Sequence, residues 1–185
     1  MPRLISVNVG KPHEIGVSKG KEVVSAIFKE PVKGPVKVRK LNLEGDRQAD
    51  LKVHGGEKKA VYAYPSEHYA FWKNRFPGMA MPWGTFGENL TTEGLLEDGI
   101  HVGDRLEIGS AVFVVTQPRL PCFKLGMRFQ TQTMIKSFLE SERTGFYLGV
   151  ATEGQVKAGD SIMLSRTNEG AETIISLVED VKRGE

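Results

Sequence analysis

Short apolar runs punctuated by glycine and proline recur along the whole chain, and long helical stripes are scarce. Residues 4–9 ("LISVNV") and 23–28 ("VVSAIF") are rich in β-branched side chains and flank the turn-forming "GKPHEIGVSKGKE", which predicts two strands. Residues 36–43 ("VKVRKLNL") alternate apolar and polar with period two, as a strand with one buried face does, and the run ends at Gly45. "AVYAYP" at 60–65 is a further strand. In "SEHYAFWKNRF", which follows it, Ser66 is a candidate cap for a helix carrying Tyr69, Trp72 and Phe76 on one side, stopped by Pro77 and Gly78.

Beyond that helix the pattern predicts a strand around Leu90 and a hairpin of 105–108 and 111–116 turning at Gly109 and Ser110. Met134, Ile135, Phe138 and Leu139 have helical spacing, residues 145–165 return to strands, and Ile174, Ile175, Leu177, Val178 and Val181 mark one face of a final helix. "VGDRLEI" from Val102 and "AGDSIML" from Ala158 echo one another, as Gly-Asp turns feeding strands do. The 21 glycines and 9 prolines fit many short strands. With no βαβ alternation evident, the expected class is mainly β (α+β), a β-barrel with a few short helices rather than a doubly wound sheet.

A chain of 185 residues suits one domain with a buried core. The division expected is a barrel domain over 1–165 and a helical tail over 166–185. The 25 basic and 23 acidic residues leave a net charge of +2 without long like-charged runs, so neither nucleic acid nor a membrane surface is an expected partner. One cysteine permits neither an internal disulfide nor a thiolate cluster, and a reducing cytoplasm is the expected location. The N-terminus lacks the apolar core of a signal peptide, and no run approaches the roughly 20 apolar residues of a membrane span.

Three clusters could carry chemistry. The first is "TQPRLPCFKLG", which holds Cys122. Pro118 and Pro121 cannot continue a central ladder, so the residues after Thr116 are expected to leave the sheet. Arg119, turned toward the sulfur, would favour the thiolate, the form that attacks or binds soft metals; a lone cysteine also serves as a small buried hydrophobe. The second is "GDRQADLKVHGGEKK", where Asp46, Asp50 and His54 are spaced by four and Gly55 and Gly56 allow a sharp turn or close approach. A solvated loop is the plain alternative. The third, "GTFGENL", offers Glu88 and Asn89 either to a local turn or to a bound heterocycle. A Cys122–His54 nucleophile and base, oriented by Asp46 or Asp50, has the right residue types but no nucleophile motif around it. Phosphate-loop motifs are absent, and the four histidines lack the spacing of zinc ligands.

Taken in order, "LNLEGDRQADLKVHGGEKKAVYAYPSEHYAFW", "GTFGENLTTEG", "VGDRLEIGSAVFVVTQPRLPC" and "GFYLGVATEGQVKAGDSIML" resemble the MOSC domain family, named for the C-terminal domain of molybdenum-cofactor sulfurase. The resemblance covers about residues 20–165 and is nearest to the small stand-alone bacterial members. It implies a closed mixed β-barrel, and Cys122 as the protein's sulfur ligand to molybdenum in the pterin (molybdopterin) cofactor. Lys29, Gly55, Gly56, Asn89 and Arg119 are the implied cofactor-binding residues, with Asp46, Asp50 and His54 managing protons or holding the loop. The aminotransferase-like half of the sulfurases is not in this chain, so no pyridoxal phosphate is expected. The three-helix C-terminal extension of the bacterial relatives is missing or reduced to one helix.

The activity so implied is reduction of small N-hydroxylated compounds, hydroxylamino-purines or amidoximes, with electrons from a separate flavin or iron–sulfur reductase. The alternatives are a sulfur carrier working through a Cys122 persulfide, and a protein that stores or delivers the cofactor without turnover.

Overall fold

A computed structural model describes residues 1–47 and 55–184 of the chain. Asp50 and His54 lie outside the described residues.

The elements follow the predicted rhythm. Strand β1 (Arg3–Val9) comes first, and β2 (His13–Ser18) and β3 (Lys21–Ser25) form an antiparallel hairpin of their own. Short β4 (Glu30–Pro31) pairs with β1, and β5 (Val36–Val38) follows. Strand β6 (Val61–Pro65), helix α1 (His68–Arg75) and β7 (Leu90–Glu93) lead to the hairpin of β8 (Arg105–Ile108) and β9 (Ala111–Pro118). Helices α2 (Phe123–Arg128) and α3 (Thr133–Glu140) precede β10 (Phe146–Thr152), β11 (Gly154–Val156), β12 (Ile162–Ser165) and the final helix α4 (Ile174–Arg183).

Eight strands make one mixed sheet in the order β12-β8-β9-β10-β6-β7-β1-β4. Every pairing in it is antiparallel except β6 with β7, whose Ala63 and Leu90 are partners in a parallel register. Parallel neighbours need a crossover, and α1 with residues 76–89 supplies it. This is the one strand–helix–strand unit that the sequence pattern did not reveal. Backbone bonds also run from β1 to the lead-in of β12: Leu4 N to Asp160 O at 2.8 Å, Gly159 N to Leu4 O at 2.7 Å and Ile162 N to Pro2 O at 2.9 Å.

Local departures have local causes. Residues 36–43 do not form one strand: Arg39 N donates to Asn42 O and Val38 bridges Leu43, so the run folds into a tight turn that leaves Leu41 exposed. Ser66 is not the cap of α1; Glu67 occupies that position without a side-chain bond, and Ser66 contributes its carbonyl to Tyr69 N instead. Pro118 is the last residue of β9, so the chain leaves the sheet two residues later than expected. In the two echoed turns, Asp104 accepts from His101 N and Asp160 from Lys157 N, each at 2.9 Å, the same turn made twice.

Two apolar clusters form the interior. One fills the sheet, around Leu4, Leu90, Leu106, Phe113, Phe146 and Leu148. The other is aromatic, where Tyr64, Tyr69, Trp72, Phe86, Phe129 and Phe138 gather between α1, α2, α3 and the edge-to-face and stacked rings of β6. Helix α4 packs on β9 and α3, with Ile174 and Val178 inward, while Val181 is 37% exposed although the periodicity placed it on the buried face.

Candidate functional site

A cleft beside the aromatic cluster collects residues from six separate parts of the chain. The segment after β3 brings Ile27 and Lys29, and the turn after Gly45 brings Asp46. A single helical turn at Glu57–Lys59 ends in Lys59, and Tyr62 follows on β6. The loop into β7 contributes Phe86, Gly87 and Asn89; the stretch between β9 and α2 contributes Arg119, Leu120 and Cys122; Tyr147 comes from β10. The cleft has a volume of about 100 Å³.

Cys122 is half-buried, in extended conformation directly before α2, and its side chain does not cap that helix. Pro121 before it and the exit of β9 behind it, after Pro118, place the thiol on the cleft wall.

Lys29 and Asp46 form a buried ion pair, Nζ to Oδ1 at 2.5 Å, and the same oxygen accepts from Gly10 N at 2.8 Å. Asp46 is therefore held as the lysine's partner, while its Oδ2 has no hydrogen-bond partner among the described residues. Asn89 brackets the backbone: Oδ1 accepts from Tyr62 N at 3.1 Å, and Nδ2 donates to Asn8 O at 3.3 Å. It lines the cleft, and its amide also ties β6 to β1 across β7. Glu88 takes the turn role foreseen for "GENL". Its carboxylate is buried and accepts from Gly84 N at 2.7 Å, Phe86 N at 3.1 Å, Thr91 Oγ1 at 3.0 Å and Tyr69 Oη at 2.5 Å. Burial pushes its pKa above the ordinary carboxylate range against the lowering effect of those donors. Gly87 has φ +84°, and a Cβ there would come within 3.0 Å of Ile27 Cγ1, so the cleft floor at this point requires glycine.

Arg119 is 5% exposed and forms no salt bridge among the described residues. Its guanidinium carbon lies 5.5 Å from the Tyr62 ring and 5.0 Å from the Phe138 ring, and Nη1 has no hydrogen-bond partner among the described residues. Burial raises the pKa of the Tyr147 phenol beside it, Arg119 opposes the rise and Cys122 adds to it. Lys59 Nζ sits 5.7 Å above the Tyr147 ring.

Five residues singled out from the sequence, Cys122, Arg119, Lys29, Asp46 and Asn89, thus meet in one cleft. Gly55 and Gly56 are described but are not among its lining; Gly56 opens the helical turn that delivers Lys59. Tyr62, Tyr147, Lys59, Lys124 and Phe86 were not foreseen. Lys124 follows Cys122 by two, and Tyr147 has the outward-facing parity of β10, which are the only local signals for them.

Residues 50–163 match the family model of the MOSC domain. The chain belongs to the MOSC domain family. The protein YflK of Bacillus subtilis, described as uncharacterized, is 42% identical over 168 residues, which are 90% of this chain and 75% of that protein. A Gibberella moniliformis protein named "Reductase" is 34% identical over 148 residues, 78% of this chain and 26% of its own length. The crystal structure of YiiM from Geobacillus stearothermophilus superposes with a TM-score of 0.81 at 34% identity, over 100% of this chain and 85% of that one. The resemblance to small bacterial MOSC proteins therefore extends from motif order to the fold.

Proposed function

We propose that this MOSC protein binds the molybdenum cofactor through Cys122 and reduces small N-hydroxylated compounds, hydroxylamino-purines or amidoximes. The observation that carries the reading is the composition of the cleft: one thiol on the wall, with Lys29, Lys59, Arg119 and Lys124 against Asp46, the single acid among the described lining residues. A pterin cofactor is an anionic ligand offering soft sulfur, so this donor set suits it, and Nη1 of Arg119 is a donor with no acceptor among the described residues.

When bound, the cofactor supplies a redox metal able to accept oxygen from an N–O bond. In the overall reaction R–NH–OH takes up two electrons and two protons, the N–O bond breaks, and R–NH2 and water leave. The chain's own residues orient and neutralise. Cys122 offers the thiolate, the Lys29–Asp46 pair fixes an ammonium at the cleft wall, and Arg119 presents N–H donors held by its flanking rings. His54 and Asp50 are assigned the handling of protons. The two electrons come from a separate flavin or iron–sulfur reductase. We read the fold likewise as the closed barrel of the family, the bonds between β1 and residues 159–162 being its closure.

Protein made in a host that synthesises the cofactor is expected to contain close to one molybdenum per chain, and Cys122→Ser to lose or alter that content. With an artificial electron donor the loaded protein reduces a hydroxylamino-purine. Metal-free protein from such a host overturns the reading in favour of a persulfide carrier; a loaded but inert protein overturns the activity and leaves storage or delivery.

A further inference from the structure

Helix α2 buries Leu125 and Gly126, yet its first residue, Phe123, is 42% exposed, and Leu120, at the exit of β9, is 46% exposed. Single apolar side chains on a surface need no explanation. These two bracket Cys122, and with about 3.8 Å between consecutive Cα atoms their backbones lie within roughly 8 Å and 4 Å of the cysteine's. Leu120 also lines the cleft, together with Cys122 and Lys124. A surface that covered both side chains would close over the mouth of the cleft.

The charge around this apolar pair has one sign. Lys59 and Lys124 stand in the cleft wall, Lys58 is exposed beside Lys59, and Arg47 is exposed beside Asp46, with its backbone N–H donating to Gly10 O at 3.0 Å. In segments 45–47, 55–59 and 120–124, which carry these cations, the acids are Asp46, already paired with Lys29, and Glu57. Residues 48–54 hold one acid, Asp50, and one base, Lys52, so the excess stays positive even with Asp50 counted and Lys52 left out.

An apolar centre inside a charged rim is the anatomy of a protein–protein interface. The sign of the rim selects the partner, since an acidic surface is steered toward it and a like-charged one is repelled. A second copy of this chain would bring the same cations to the same place. We infer that Leu120, Phe123 and the cations around them form the docking face for an acidic electron-carrier protein, one with a flavin or iron–sulfur centre. The partner's identity rests on the proposed reduction; the face itself does not. Contact here brings the carrier to the side of the cleft that holds Cys122, and the carrier is oxidised by the two electrons that N–O cleavage consumes. Leu120 and Phe123 exclude water at the centre of the contact, while Lys58 and Arg47 steer the encounter and give it its salt dependence.

The full chain, made in a host unable to synthesise the cofactor, is titrated calorimetrically with a flavodoxin and with a [2Fe–2S] ferredoxin, both acidic, and with basic cytochrome c as the control for charge. At least one acidic carrier is expected to bind, more weakly as salt is raised, and cytochrome c is not. Phe123→Ser is expected to weaken binding about tenfold, with Phe123→Tyr, which keeps the ring, near wild type; Lys58→Glu combined with Arg47→Glu is expected to weaken it by a similar factor. In protein loaded with cofactor the same variants raise the KM for the carrier and leave turnover with a small artificial donor at the wild-type rate. The docking face is overturned if neither carrier binds, if binding ignores salt, or if Phe123→Ser and the double variant bind as wild type does. Conversion of a dimer into a monomer by Phe123→Ser, read by sedimentation, gives the face to a second copy and overturns it too. Loaded protein that turns over with the artificial donor but is indifferent to both carriers keeps the proposed reduction and loses the face. Protein that binds a carrier at this face and reduces nothing keeps the face and loses the reduction.

Discussion

Glu88 has no solvent exposure, and four donors converge on its carboxylate, so its ionisation is coupled to folding. Its folded-state pKa is raised above the reference of 4.5, chiefly by burial. The folded chain therefore holds this proton at a pH where the unfolded chain has released it, and the associated stability, complete below about pH 4.5, is lost as pH rises through the higher folded value. Glu88→Gln keeps an acceptor for Gly84, Tyr69 and Thr91 at one side-chain oxygen, gives up the one that serves Phe86, and cannot ionise. Its melting temperature is expected to vary less with pH than that of wild type across and above the ordinary carboxylate range, with wild type losing ground as pH rises. Parallel curves for the two proteins would show that Glu88 does not titrate in that window. At this scale the sequence was readable where chemistry is local: Cys122 with Arg119 three residues before it, and the turn written in "GENL". It was not readable for Tyr62 and Tyr147. They face each other across paired strands, with ring centroids 5.5 Å apart, and nothing near either in sequence names its partner.

Elements were legible in proportion to their regularity. The hairpin of β8 and β9 and the helix α3 follow directly from alternation and helical spacing, whereas α2 was not predicted, because six residues give less than two turns of pattern. The parallel crossover through α1 was hidden for a different reason: pairing direction is a property of two strands and leaves no mark on either alone. Gly145 shows how the antiparallel pairing on the other side of β6, with β10, is enforced. It enters β10 with φ +62°, a Cβ there would lie 2.4 Å from Ala63 O of β6, and its N–H is taken by buried Glu97 at 2.7 Å. Gly145→Ala adds left-handed strain to an overpacked contact in the middle of the sheet, and a loss of roughly 2–4 kcal/mol is expected. Urea unfolding checks this: the midpoint should fall with little change in slope. A midpoint at the wild-type value would mean that β6 and β10 can part at Gly145 without penalty.

At the scale of the whole molecule, the cleft occupies the margin of the aromatic cluster, where Ile27, Tyr62 and Phe86 belong both to the core and to the wall. The site is thus built from the side chains that hold α1, α2 and α3 against β6, and occupancy of the cleft bears on global stability. Any ligand confined to the folded state stabilises it by mass action, about 2.7 kcal/mol at a hundredfold excess over Kd. For a domain of 150–250 residues, each kcal/mol moves the melting temperature by roughly 2–4 °C. On the proposed function, chain isolated with its cofactor is expected to melt roughly 5–10 °C above chain from a cofactor-deficient host at that saturation. Cys122→Ser, which removes the metal contact but not the cations, should recover only part of the difference. Equal melting of metal-loaded and metal-free wild type would place the metal away from this cleft, since a tight ligand gripped by core side chains cannot leave the folding equilibrium unmoved.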